Sequence, residues 1–114
     1  MSNLSRTQLM INKIEQIVCE HLNVSVTNTR SQLRTYDLTQ ARHVIWYLLN
    51  TFEFIDRKVI AKEYNHGASN VNWAINKISD HVQANKAFRM LVKEIKFKIN
   101  PGLWVKELGK PVQL

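Results

Sequence analysis

Residues 56–82 read DRKVIAKEYNHGASNVNWAINKISDHV, and the fold turns on this stretch. Its pattern predicts two helices, Asp56 to Tyr64 and Ala68 to Val82, joined by the tight turn Asn65-His66-Gly67. In the second helix Val71, Ala74, Ile75, Ile78 and Val82 recur on one helical face, which must be buried. At about 100° per residue, Ser69, Trp73 and Asn76 point away from that face. Asn72 flanks them on one side, Asn70 and Lys77 on the other. A row of amide and hydroxyl groups near a helix N-terminus suits a helix that reads the major groove, since Asn pairs bidentately with adenine. A solvated face has the same composition, and this helix alone does not separate the two readings.

The chain of 114 residues is long enough for one small core. Its 45% hydrophobic content argues against global disorder, and 16 basic against 9 acidic side chains give a net charge of +7. That charge favours a polyanionic partner, nucleic acid first. The basic residues are dispersed, so only folding can gather them. Cys19 is the single cysteine, which excludes an intramolecular disulfide and multi-cysteine zinc patterns. Lying among Ile17, Val18 and Leu22, it is expected to be buried and inert.

No apolar run approaches the roughly 20 residues of a membrane span, and the N-terminus lacks a signal-peptide core. A cytoplasmic location is therefore expected, with no use for the sequons Asn3-Leu4-Ser5 and Asn23-Val24-Ser25. His21, His43, His66 and His81 lack metal-ligand spacing. Glu63 and His66 form one Glu-x-x-His pair, but a di-metal bundle needs two plus further carboxylates. No serine or cysteine has a local base. The chain is expected to be no enzyme, with no catalytic residue, no metal and no cofactor.

In chain order, Met10, Ile14, Ile17, Val18 and Leu22 define an amphipathic helix from Ser5, an N-cap, to Leu22, with Asn23 as its stop signal. The next segment reads as a loop or one short helix and carries Arg30 and Arg34. Arginines there suit phosphate contact or insertion into a narrow minor groove, and also simple solvation. Asp37 and Gln40 have capping-box spacing ahead of Ala41, Val44, Ile45, Leu48, Leu49 and Phe52, the clearest helical repeat in the chain. This is expected to be the central helix, with Arg42, His43 and Trp46 toward its margins. After a boundary at Gln83 to Asn85, Phe88, Leu91, Val92, Ile95 and Ile99 predict a last helix, rich in lysine, that Asn100-Pro101-Gly102 terminates. Residues 101–114 form a tail too short to fold alone. Its Leu103, Trp104 and Val105 dock on the domain, dock on a partner or stay disordered.

Three blocks between Ile14 and Ile78 carry a resemblance. Val18-Cys19-Glu20-His21-Leu22-Asn23-Val24-Ser25-Val26, Ala41-Arg42-His43-Val44-Ile45-Trp46-Tyr47-Leu48, and Ile60, Tyr64 and Gly67 to Ile78 together resemble the C-terminal DNA-binding domain, domain IV, of the bacterial replication initiator DnaA. The second block is similar to the family's Ala-Arg-x-x-x-x-Tyr-Leu helix and is the most specific. The family signature Gly-Gly-Arg-Asp-His-Thr-Thr-Val is altered here. The turn is one residue shorter, Ser69 and Asn70 replace the two threonines, and Gly67 and Ala68 stand where the aspartate and histidine help read the origin box. Arg34 matches the family arginine that enters the minor groove, and Arg42 the arginine near the start of the long helix. The sequence contains no Gly-x-x-x-x-Gly-Lys-Ser/Thr loop, so a detached reader is expected rather than an initiator.

The expectation is an all-α single domain of five or six helices, residues 1–100, containing a helix-turn-helix. The resemblance implies double-stranded DNA as partner and a role in replication or transcription control. Ser69, Asn70, Asn72, Trp73 and Asn76 would enter the major groove. Arg30, Arg34, Arg42 and Lys77 would engage phosphates or the minor groove, with His66 on the turn. The alternative is a protein-interaction module that uses Trp73 or the C-terminal tail.

Overall fold

Local hydrogen-bond chemistry sets where the helices begin. In the computed structural model, which describes residues 5–31 and 33–102, α1 spans Arg6–Leu22, α2 Val26–Arg30, α3 Tyr36–Thr51, α4 Arg57–Tyr64, α5 Ala68–Ala84 and α6 Lys86–Ile99. The architecture is all-α, as expected. Ser5 Oγ accepts from the Gln8 N–H at 3.0 Å, Ser25 Oγ from Asn28 at 3.1 Å, Asp56 Oδ1 from Lys58 at 2.7 Å and Asn85 Oδ1 from Phe88 at 2.8 Å. Each satisfies a donor that has no partner within its own helix. Asn23 and Asn65 end α1 and α4 in the left-handed conformation, at φ 59° and 55°, a geometry that turns the following N–H groups back to the last carbonyls.

Two expectations change at α3. Its N-cap is Thr35, whose Oγ1 accepts from the Leu38 N–H at 3.3 Å, and not Asp37. Asp37 sits in the first turn instead, where a negative charge favours the positive end of the helix. Trp46 and Arg42, expected at the margins, are only 1% and 5% exposed. The reason is the number of neighbours: α3 packs against α1, α2, α4 and α5, so its flanks are covered as well as its apolar stripe. Val44, Ile45, Leu48 and Leu49 on α3 are fully buried, and α6 closes the core against α1 and α5 through Phe88, Val92, Ile95 and Ile99.

An ionic knot crosses this core. Glu15 of α1 is 4% exposed. Its Oε2 accepts from Arg30 Nε of α2 at 2.5 Å and from the Tyr64 hydroxyl of α4. Arg30 Nη2 also reaches Glu63 Oε2 at 3.0 Å, and its guanidinium lies 4.4 Å from the Tyr64 ring centre. Burial works against the Arg30 charge, but Glu15, Tyr64 and Glu63 outweigh it and hold the pKa above its usual value. Burial, then the bond to Glu15, raises the Tyr64 pKa. Cys19 is buried with Sγ 3.5 Å from Thr29 Oγ1, and burial pushes its thiol pKa up, away from nucleophilic reactivity.

The tail from Leu103 onward, including Trp104, lies outside the described residues. Among the described residues no helix is long and apolar enough to cross a membrane.

Candidate nucleic-acid interface

The Asn65-His66-Gly67 turn sets α5 across α3 and α4. Val71, Ala74, Ile75 and Ile78 are buried, whereas Ser69, Asn70, Asn72, Trp73, Asn76 and Lys77 are all exposed. Trp73 is 60% exposed, a large apolar area for a helix face otherwise made of amides. Its ring meets His43 of α3 edge-on at 5.9 Å, and Lys77 Nζ sits 4.9 Å from its centre, so the indole is held by an aromatic edge and a cation.

Beside Asn70 and Trp73 opens a cleft of about 240 Å³ whose other walls include Arg34, Thr39, Arg42, His43, Trp46 and His66. It brings the connection after α2 together with the start of α5. Trp46, edge-on to His66 at 5.0 Å, forms part of the wall, and its buried Nε1–H has no acceptor among the described residues.

Both imidazoles here have their pKa lowered. Burial, followed by the positive charges of Lys77 and Arg42 and by His66, lowers the His43 pKa to about 4. Burial, Arg42 and Arg34 lower that of His66 in the same direction. An imidazole with a depressed folded-state pKa contributes stability above its unfolded value near 6.5 that is lost as pH falls toward the folded one. The melting temperature is therefore expected to drop between about pH 6.5 and pH 4, and thermal melts of His43→Gln should show a smaller drop than the parent chain.

The arginines divide by environment. Arg34 is exposed at the cleft rim. Arg42 faces inward: its Nε donates to the Thr29 carbonyl at 2.8 Å, and its Nη2 to those of Ser31 and Leu33 at 3.3 and 3.0 Å. Burial, then the nearby Arg34 charge, lowers its pKa. Arg30 is engaged by Glu15 and Glu63. Of the three arginines named from sequence, Arg34 is the exposed one, while Arg30, ion-paired and 31% exposed, and Arg42, buried, brace the connection that carries it.

Arg57 is a member of this surface that sequence reasoning missed. From the first turn of α4 its Nη1 donates to Asn72 Oδ1 at 3.2 Å and Asn76 Oδ1 at 3.4 Å, and its Nε to Asn50 Oδ1 at 3.3 Å. No local pattern announces contacts across such separations. His43 and Thr39, also in the cleft, carried no signal beyond a place on the flank of α3.

Residues 11–78 match the family model described as "Bacterial dnaA protein helix-turn-helix", more than half of the chain. The chain belongs to this DnaA family. Among the relatives it resembles, the chromosomal replication initiator protein DnaA of Caldanaerobacter subterraneus subsp. tengcongensis is 24% identical over 99 residues, covering 87% of this chain and 22% of that protein. The corresponding DnaA of Campylobacter curvus is 27% identical over 97 residues, 82% of this chain and 22% of the relative. That of Campylobacter concisus is 32% identical over 89 residues, 75% of this chain and 20% of the relative. The chain thus spans about a fifth of the length of these DnaA proteins. The DnaA family match ends at Ile78 inside α5, so α6 lies beyond it.

Proposed function

We propose that residues 1–100 form a double-stranded DNA reader that places α5 in the major groove and Arg34 on adjacent phosphates or in the neighbouring minor groove. The observation that carries this reading is the cleft that sets exposed Arg34 beside Asn70 and Trp73 at the start of α5. A helix face of amides with a cation at its flank offers base-edge and backbone contacts in one footprint. Lys77 extends the cationic side, His66 sits at the turn, and Ser69, Asn72, Trp73 and Asn76 occupy the helix face. Arg30 and Arg42 act from behind, through the backbone they hold. The relatives are named chromosomal replication initiators, and on that likeness we assign the reader to replication or transcription control. The reading uses no catalytic residue, metal or cofactor.

Fluorescence anisotropy against random duplex DNA across a salt series tests it. About four phosphate contacts give about a hundredfold loss of affinity between roughly 50 and 200 mM salt. Arg34→Ala should weaken binding to every sequence and flatten the salt slope by about one. Asn70→Ala should cost about tenfold, and only on a preferred site. Unchanged binding by both variants rules out this docking.

Trp73 supports a second reading, because an indole 60% exposed is also what a protein contact requires. A protein partner held with almost no salt dependence, and lost in Trp73→Ala, would favour that interaction module over the DNA reader.

A further inference from the structure

We propose that Arg57 locks Asn72 and Asn76 of α5 into a donor-only arrangement, so that this pair selects guanine over adenine. The inference rests on the DNA-reader assignment and adds a base preference to it.

A guanidinium only donates hydrogen bonds. The atom of Asn72 that faces Arg57 Nη1 at 3.2 Å and the atom of Asn76 that faces it at 3.4 Å must therefore be the carbonyl oxygens. Amide orientation is usually ambiguous, but here the chemistry of the partner decides it. With both oxygens turned toward Arg57, each amide offers its NH2 group to the surroundings.

Arg57 is itself held. Its Nε donates to Asn50 Oδ1 at 3.3 Å, and Asn50 Nδ2 donates in turn to the Ile55 carbonyl at 2.9 Å. This chain runs from the loop before α4 to the exposed side of α5, and every link has one permitted direction. The amides reach a groove already oriented.

Adenine needs both halves of an asparagine amide: a donor for N7 and an acceptor for its N6 amino group. Guanine presents two acceptors, N7 and O6, along the same edge. Donors alone satisfy guanine, and opposite adenine they leave N6–H against N–H. At Asn72 and Asn76 the adenine preference expected of an asparagine is thereby reversed by one arginine, fifteen positions before Asn72.

Selection from a randomised duplex pool, followed by anisotropy on the selected site, tests the proposal. The parent chain should enrich a guanine at which 7-deazaguanine, lacking the N7 acceptor, weakens binding about tenfold. In Asn72→Ala/Asn76→Ala that penalty should vanish. Arg57→Met, whose helicity is checked by circular dichroism, should let the amides rotate and bring the guanine-to-adenine ratio close to one. Enrichment of an adenine whose preference is lost in Asn72→Ala/Asn76→Ala, tolerance of 7-deazaguanine, a penalty that survives the double alanine variant, or an unchanged ratio in folded Arg57→Met would each overturn it. Failure to bind any duplex would overturn the DNA-reader assignment as well, whereas binding without the guanine preference overturns this inference alone.

Discussion

Glu15→Ala is expected to cost about 3 kcal/mol of folding stability, the largest loss from any polar side chain described here. Glu15 joins three helices: it accepts from Arg30 on α2 and from Tyr64 on α4 while sitting buried on α1. Removing it leaves a cation and a hydroxyl without their acceptor. Loss of one partner from a buried pair costs about 3–5 kcal/mol, and the lower end applies because Arg30 is 31% exposed and keeps Glu63. Glu63→Ala, on a side chain 23% exposed, should cost no more than about 1 kcal/mol. Thermal denaturation distinguishes the two, since about 3 kcal/mol corresponds to a melting shift above about 10 °C in a domain of this size. If the charge left behind is the cause, Glu15→Met/Arg30→Met will be more stable than Glu15→Met alone. Equal stability of the single and double variants would instead assign the loss to packing.

Arg42→Ala is expected to lose about 2–3 kcal/mol of stability and to bind DNA as weakly as Arg34→Ala, although Arg42 faces away from the proposed groove. Its guanidinium gathers the carbonyls of Thr29, Ser31 and Leu33 around one planar fork. That fork fixes the backbone just ahead of Arg34. Without it, the carbonyls turn to water, the connection gains conformational freedom, and Arg34 must be ordered at the moment of binding. Arg42→Lys separates geometry from charge: it keeps the net charge of the chain, but a lysine ammonium does not reproduce the planar fork. Arg42→Lys should therefore bind nearly as weakly as Arg42→Ala. Parent-like binding would make charge the operative property.

The helices were legible because their causes are local. Ser5, Asn23, Asp56 and the Asn65-His66-Gly67 turn act within a few residues of the helix ends they control, and the apolar repeats of α3 and α5 state which face is covered. Thr35 was missed for a related reason. Several polar residues precede α3, and only the observed backbone shows whose side chain meets the Leu38 N–H. The exposed row from Ser69 to Lys77 followed from the same periodicity that buried Val71 and Ile75.

The roles of the charges were not legible in this way. Arg30, Arg34 and Arg42 are the same residue type on or beside one connection, yet one is ion-paired, one exposed and one buried against backbone carbonyls. Glu15 lies on a flank that α2 and α4 happen to cover, and Arg57 meets two asparagines from a neighbouring helix. By itself the sequence determined an all-α chain with a helix-turn-helix and a polar exposed face on its second helix, because helix periodicity and capping are properties of adjacent residues. Only the tertiary structure decided which charge faces outward and which way each amide points, because a charge takes its role from whichever side chains the packed helices bring within about 3 Å of it.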